Sequence, residues 1–132
     1  MNTLAATPPI IVATTALLAL MAGLFPQRWL RREGPTVIAI VGLLAAAVMS
    51  ILLWGNRIVA LGGGYRIDHM SVLFNLIFIG CAVITLMLSV NDASGVDRRG
   101  EYAALVTTAT AGMILVAGAG DLIMIFLGIE IL

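Results

Sequence analysis

The sequence predicts an all-α fold: a polytopic transmembrane helical bundle of four full spans and a truncated fifth helix, with its N-terminus outside. Three observations carry this. Of 132 residues, 61% are hydrophobic and only 11% charged, against about 25% charged in a soluble domain. The charges cluster between long apolar runs. Four of those runs have lengths near the ~20 residues that cross a ~30 Å hydrocarbon core. The formal net charge is +0, so no basic surface points to nucleic acid. A lone cysteine, Cys81, excludes an internal disulfide or thiolate cluster and reads as a small buried apolar residue.

The whole chain, 1–132, forms part of one transmembrane domain. The first span covers about residues 4–25, uncharged throughout, and Pro8-Pro9 suits its start. Arg28, Arg31 and Arg32 follow it and no basic segment precedes it, the pattern of an uncleaved span rather than a signal peptide. A loop is expected over 26–35, between two prolines. The second span, about 36–54, ends on Trp54, an interfacial anchor. The stretch 55–68, with Gly62-Gly63-Gly64, reads as a flexible turn outside the bilayer. It is no phosphate cradle, since neither the Lys-Ser/Thr pair nor the preceding strand is there.

The third span covers about 70–90. Asn75 and Thr85 on it read as interhelical hydrogen-bonding groups. His69, beside Asp68 at the membrane edge, reads as a solvated interfacial residue rather than a proton shuttle. The most charged loop, 91–101, leads to a fourth span of about 102–118, where Gly112 and three threonines allow close helix packing. After the turn Gly118-Ala119-Gly120 comes a fifth apolar run, 121–132. At 1.5 Å per residue it covers about 18 Å, short of a full span. The expectation is therefore a piece of a longer protein, cut within its fifth helix.

Arginine counting orients the bundle. Arg28, Arg31, Arg32, Arg98 and Arg99 flank the first and third loops, and Arg57 and Arg66 lie in the second. The positive-inside bias puts the first and third loops in the cytoplasm and the N-terminus outside.

One residue breaks the apolar pattern of the fifth run. Glu130 lies nine positions after Asp121, about 13 to 14 Å along a helix, roughly half the depth of the hydrocarbon core. A charge at that depth costs on the order of 2.5 to 3.5 kcal/mol, which makes it a functional candidate by default. A carboxylate away from water disfavours its charged form and a nearby cation restores it. Such a group can load and release a proton when a cation partner approaches or withdraws. The competing reading is a protonated structural glutamate bonded to a neighbouring helix. No cation lies within these spans, so a partner would come from beyond Leu132 or from another chain. Asp121 sits about half a turn round the helix from Glu130 and reads as an N-cap rather than a second proton carrier.

Three segments carry a family resemblance: Y-R-I-D-H-M-S-V-L-F at 65–74, R-G-E-Y at 99–102, and G-M-I-L-V-A-G-A-G-D-L-I-M-I-F-L-G-I-E-I-L at 112–132. Together they resemble the antiporter-like membrane subunits of the bacterial proton-translocating NADH:quinone oxidoreductase, respiratory complex I. The N subunit is the most similar, through Leu127-Gly128-Ile129-Glu130; the M and L subunits and their sodium/proton antiporter relatives more often carry a tryptophan before that glutamate. The likeness is specific over 65–132 and generic before it. It implies a full protein of about fourteen helices built on inverted repeats. In that plan Glu130 is the fifth-helix glutamate for proton translocation, paired with a lysine of the seventh helix, which this sequence does not contain.

The resemblance also implies membership of an oxidoreductase that couples electron transfer from NADH to quinone with proton translocation. NAD and quinone are used by the complex; no cofactor and no metal is expected on this chain. The expected partners are the other membrane subunits and the lipid bilayer, with no nucleic acid, in the cell inner (plasma) membrane. The alternatives are an M- or L-type subunit, an antiporter relative, or a small structural or exporter membrane protein. Small multidrug exporters place their glutamate in the first helix, and the first span here has no ionisable residue.

Overall fold

A computed structural model describes residues 7–24, 28–55, 58–90 and 99–132. Among them, five helices and one hairpin follow in order: α1 (Thr7–Leu24), α2 (Arg28–Leu52), β1 (Ile58–Ala60), β2 (Tyr65–Ile67), α3 (His69–Ser89), α4 (Arg99–Ala117) and α5 (Leu122–Ile131). The four longer helices contain stretches long and apolar enough to cross a membrane; α5 is shorter. The all-α, multi-pass reading holds.

Helix α1 starts where Pro8 and Pro9 fall in the first turn, whose N–H groups have no intrahelical acceptor anyway. It buries Val12, Thr15, Ala16, Ala19 and Ala22, a stripe at helical spacing that packs on α2 and α4. Leu17, Leu18 and Met21 on the other side stay exposed. Both faces are apolar because lipid tails are as apolar as a helix interface. Small side chains and close contact hold such helices together. The main core shows this: Ala39, Leu43, Ala82, Ala103 and Ala111 meet around Val12 and Ile114. Helix α4 lies at the centre, in contact with α1, α2, α3 and α5.

Two expectations about the connections are corrected. The loop expected over 26–35 is helical from Arg28, and Pro35 lies inside α2. Proline removes one ladder hydrogen bond and crowds the preceding turn. Pro35 is fully buried, and helix packing of this kind makes an interior proline tolerable in membrane helices. Residues 26 and 27 of that loop lie outside the described residues, as do 1–6, Phe25, Asn56, Arg57 and the charged segment 91–98.

The glycine-rich stretch is ordered as a hairpin rather than a free turn. Ile58 pairs with Ile67, Val59 with Arg66 and Ala60 with Tyr65, antiparallel. Gly62 and Gly63 close it with φ of 67° and 108°, the left-handed region that glycine enters without a Cβ penalty. Tyr65 and Ile67 face inward and Arg66 outward, the alternation of a half-buried strand. Leu53, Tyr65, Ile67 and Val72 make a second core, with Leu115 of α4 and Met124 of α5 packed on it.

Asp68 then starts α3 with a reciprocal cap. The Ser71 N–H donates to Asp68 Oδ1 at 2.8 Å, and the Asp68 N–H donates to Ser71 Oγ at 2.9 Å. Two orphan donors are thereby satisfied where the helix dipole favours negative charge.

Candidate functional site

The segment entering α5 is tied down before the helix begins. The Arg66 N–H donates to the Gly118 carbonyl at 2.7 Å and the Gly120 N–H to the Gly64 carbonyl at 2.8 Å. Tyr65 and Ala119 form an antiparallel bridge, so residues 118–120 lie along β2 as a short third strand. Asp121 follows in extended conformation and caps α5, its Oδ1 accepting the Met124 N–H at 2.8 Å. The N-cap reading of Asp121 therefore holds.

Gly128 is the buried residue of α5. A Cβ there would sit 2.6 Å from Val116 Cγ2 and 3.0 Å from the Gly112 carbonyl oxygen; one on Gly112 would sit 2.7 Å from the Gly128 oxygen. The two backbones touch, as the small residue at Gly112 allows. This contact sets the direction of Glu130. Two positions on from Gly128, at about 100° each, the carboxylate lies roughly 200° round the helix and points away from α4. Glu130 is exposed. Open apolar grooves flank the helix on either side. One is lined by Phe74 and Phe78 of α3 with Ile129 and Leu132. The other is lined by Leu17 and Leu20 of α1 with Ile131.

Among the other candidates, Thr85 and Cys81 behave differently from expectation. Thr85 bonds within its own helix, donating to the Cys81 carbonyl at 2.8 Å, and is exposed. Cys81 is exposed rather than buried. A face turned to lipid is as apolar as a face turned to a helix, so composition does not distinguish them. Asn75 is buried but completes no hydrogen bond among the described residues. Thr107, Thr108 and Thr110 donate back to carbonyls of α4 itself. His69 is exposed and meets Trp54 edge-on at 5.9 Å. Among the described residues no three His, Cys, Asp or Glu side chains converge as metal ligands.

Sequence reasoning missed Tyr65. Its ring is fully buried. A Cβ on Gly118 would collide with Cε2, Cζ and the hydroxyl of that ring. Burial pushes the phenol up to about 12, and the neighbouring Asn75 carboxamide tempers the rise. The two side chains lie close but complete no full hydrogen bond. The alternation of Tyr65, Arg66 and Ile67 was the available signal for an inward-facing tyrosine.

No family model matches the chain. Curated relatives do. The chain is 38% identical to "NADH-quinone oxidoreductase subunit N 2" of Roseiflexus castenholzii, over 93% of its own length and 24% of the relative's. It is 36% identical to "NADH-quinone oxidoreductase subunit N" of Chloroflexus aggregans, over 95% of its length and 26% of the relative's. It is 32% identical to "NAD(P)H-quinone oxidoreductase subunit 2" of a Synechococcus strain, over 95% of its length and 24% of the relative's. The likeness thus reaches the first two helices, beyond the segments that carried the resemblance. Spanning about a quarter of the length of these relatives, the chain belongs to the family of NADH-quinone oxidoreductase subunit N.

Proposed function

We propose that this chain forms part of a membrane subunit that couples electron transfer from NADH to quinone with proton translocation, and that Glu130 is its proton-carrying group. One observation carries the assignment: a carboxylate nine residues along a capped apolar helix, turned away from α4 by the Gly112–Gly128 contact. A polar group at that depth is costly unless it serves a pathway or a partner. Its direction fits a cation supplied by a further helix on the open side of α5, in keeping with the lysine that the family resemblance implies. Proton loading then follows from the cation's distance: near, it favours the carboxylate; withdrawn, the apolar surroundings favour the acid.

NADH and quinone are substrates of the complex, handled by subunits other than this one, and this chain contributes ion movement rather than redox chemistry. Its partners are other membrane subunits of that complex and the surrounding lipid. We place it in the plasma membrane with its N-terminus outside, on the arginine bias of the loops. The hairpin and the N-termini of α3 and α5 then face the exterior.

The test is Glu130→Gln in the full-length subunit within its assembled complex. Proton pumping per NADH oxidised in membrane vesicles is expected to fall by at least about tenfold, the scale of losing a positioned acid–base group. Unchanged pumping per NADH would sink the assignment.

A further inference from the structure

We propose that Tyr65 is a positioning residue for Glu130: its ring, wedged between the hairpin and the Gly118 turn, sets where α5 begins and so sets the depth of the carboxylate, while the Gly112–Gly128 contact sets its direction. The proposal rests on the proton role given to Glu130 and names what holds that residue in place.

Helix α5 has little else to hold it. Ten residues long, with Gly128 its buried residue, it packs chiefly on α4. The grooves toward α1 and α3 are open. Its lower anchor is the Gly112–Gly128 contact, where backbone meets backbone and the Val116 side chain lies against Gly128. The upper anchor is the strap formed by β2 and residues 118–120, whose two hydrogen bonds make the Tyr65–Ala119 bridge and join backbone to backbone.

Tyr65 is the side chain that gives this strap a fixed thickness. Its ring lies against the Gly118 backbone so closely that no Cβ fits there. It belongs to the same buried cluster as Met124 in the first turn of α5. Asp121 follows the strap directly and caps the helix. From that cap to Glu130 the helix is continuous, so a change at the strap is carried along it to the Gly112–Gly128 contact and to the carboxylate two residues beyond. Where Gly128 slides on α4 with it, a tilt of about 10° at the cap moves a group about 13 Å along the helix by roughly 2 Å. Misplacements of about 1 Å suffice to cost a reaction some 100-fold.

The test uses the full-length subunit in its assembled complex in vesicles, with Y65F, Y65L, G118A and the double variant Y65L/G118A. Two readouts are taken: protons pumped per NADH oxidised, and the rate at which a hydrophobic carbodiimide modifies Glu130. Y65F keeps the ring and should match the parent within about twofold in both. Y65L and G118A should each lower pumping per NADH by about fivefold or more while NADH oxidation continues, and change the modification rate by at least about threefold. The double variant, in which the added methyl meets no ring, should lie nearer the parent than either single variant. If G118A blocks assembly, recovery of assembly in the double variant supports the wedge, and continued loss overturns it. Y65L with unchanged coupling and unchanged modification overturns the proposal. Glu130→Gln run in parallel separates the two claims. If that variant pumps normally, the proton role falls, and the modification rates alone judge whether Tyr65 positions α5.

Discussion

The contact between α4 and α5 yields a ranked prediction for three glycine-to-alanine substitutions. At Gly112 the new Cβ would lie 2.7 Å from the Gly128 oxygen and 2.9 Å from the Leu132 nitrogen, both backbone atoms. Ordinary contact begins near 3.4 Å, so α5 must recede by roughly 0.7 Å. Overpacking of this kind costs about 1 to 3 kcal/mol. Alanine's better helix propensity returns up to about 1 kcal/mol. With backbone rather than a flexible side chain in the way, G112A should destabilise by about 2 kcal/mol. At Gly128 the nearest atom is a valine methyl at 2.6 Å and the nearest backbone atoms lie at 3.0 and 3.1 Å, farther than at Gly112, so G128A should cost less, about 1 kcal/mol. At Gly80, within α3, nothing lies within 4 Å, and G80A should be neutral or stabilising by up to about 1 kcal/mol. Thermal unfolding of the full-length subunit in detergent gives the order G80A, G128A, G112A from most to least stable. If G112A proves as stable as G80A, the close α4–α5 approach is wrong, and with it the direction assigned to Glu130.

Further outcomes follow from the same geometry. Asp121→Ala removes the acceptor for the Met124 N–H and should destabilise by about 1 kcal/mol, whereas Asp121→Asn should recover most of this, read by the same unfolding assay. In an ultraviolet titration of the folded protein, Tyr65 should stay neutral until about pH 12. Because its folded value is raised, its contribution to stability is complete below about pH 10 and is lost as pH climbs through about 12. A Tyr65 that ionises with ordinary phenols would mean its ring is not buried. Glu130→Gln and the Tyr65–Gly118 series above complete the set.

What the sequence made legible follows from the physics of the bilayer. Hydropathy marks helices because every backbone polar group in lipid must bond within its own segment. The cap at Asp121 and the place of Glu130 nine residues beyond it follow from counting along one helix. Which way a helix faces is another matter. Cys81 read as buried and Thr85 as bonded to a neighbouring helix, yet both are exposed, since lipid and protein interior present the same apolarity. The direction of Glu130 became readable only through Gly128, whose missing side chain marks the face against α4. The start of α2 was hidden by Pro35 and its charged neighbours, which look like a loop while the backbone remains helical. The hairpin was hidden by its glycines, although β-branched Ile58 and Val59 and the alternation at 65–67 mark its two strands.

The strap between Gly64 and Gly120 also bears on the order in which the molecule assembles. It joins segments roughly fifty residues apart, so its loop-closure entropy is offset only once α3 and α4 stand side by side. Apolar helices form within themselves as they enter lipid, but the start of α5 acquires its hydrogen bonds only from the finished hairpin. Helix α5 is therefore the last of the five to find its place. A growing chain holds Glu130 unanchored until the hairpin has closed.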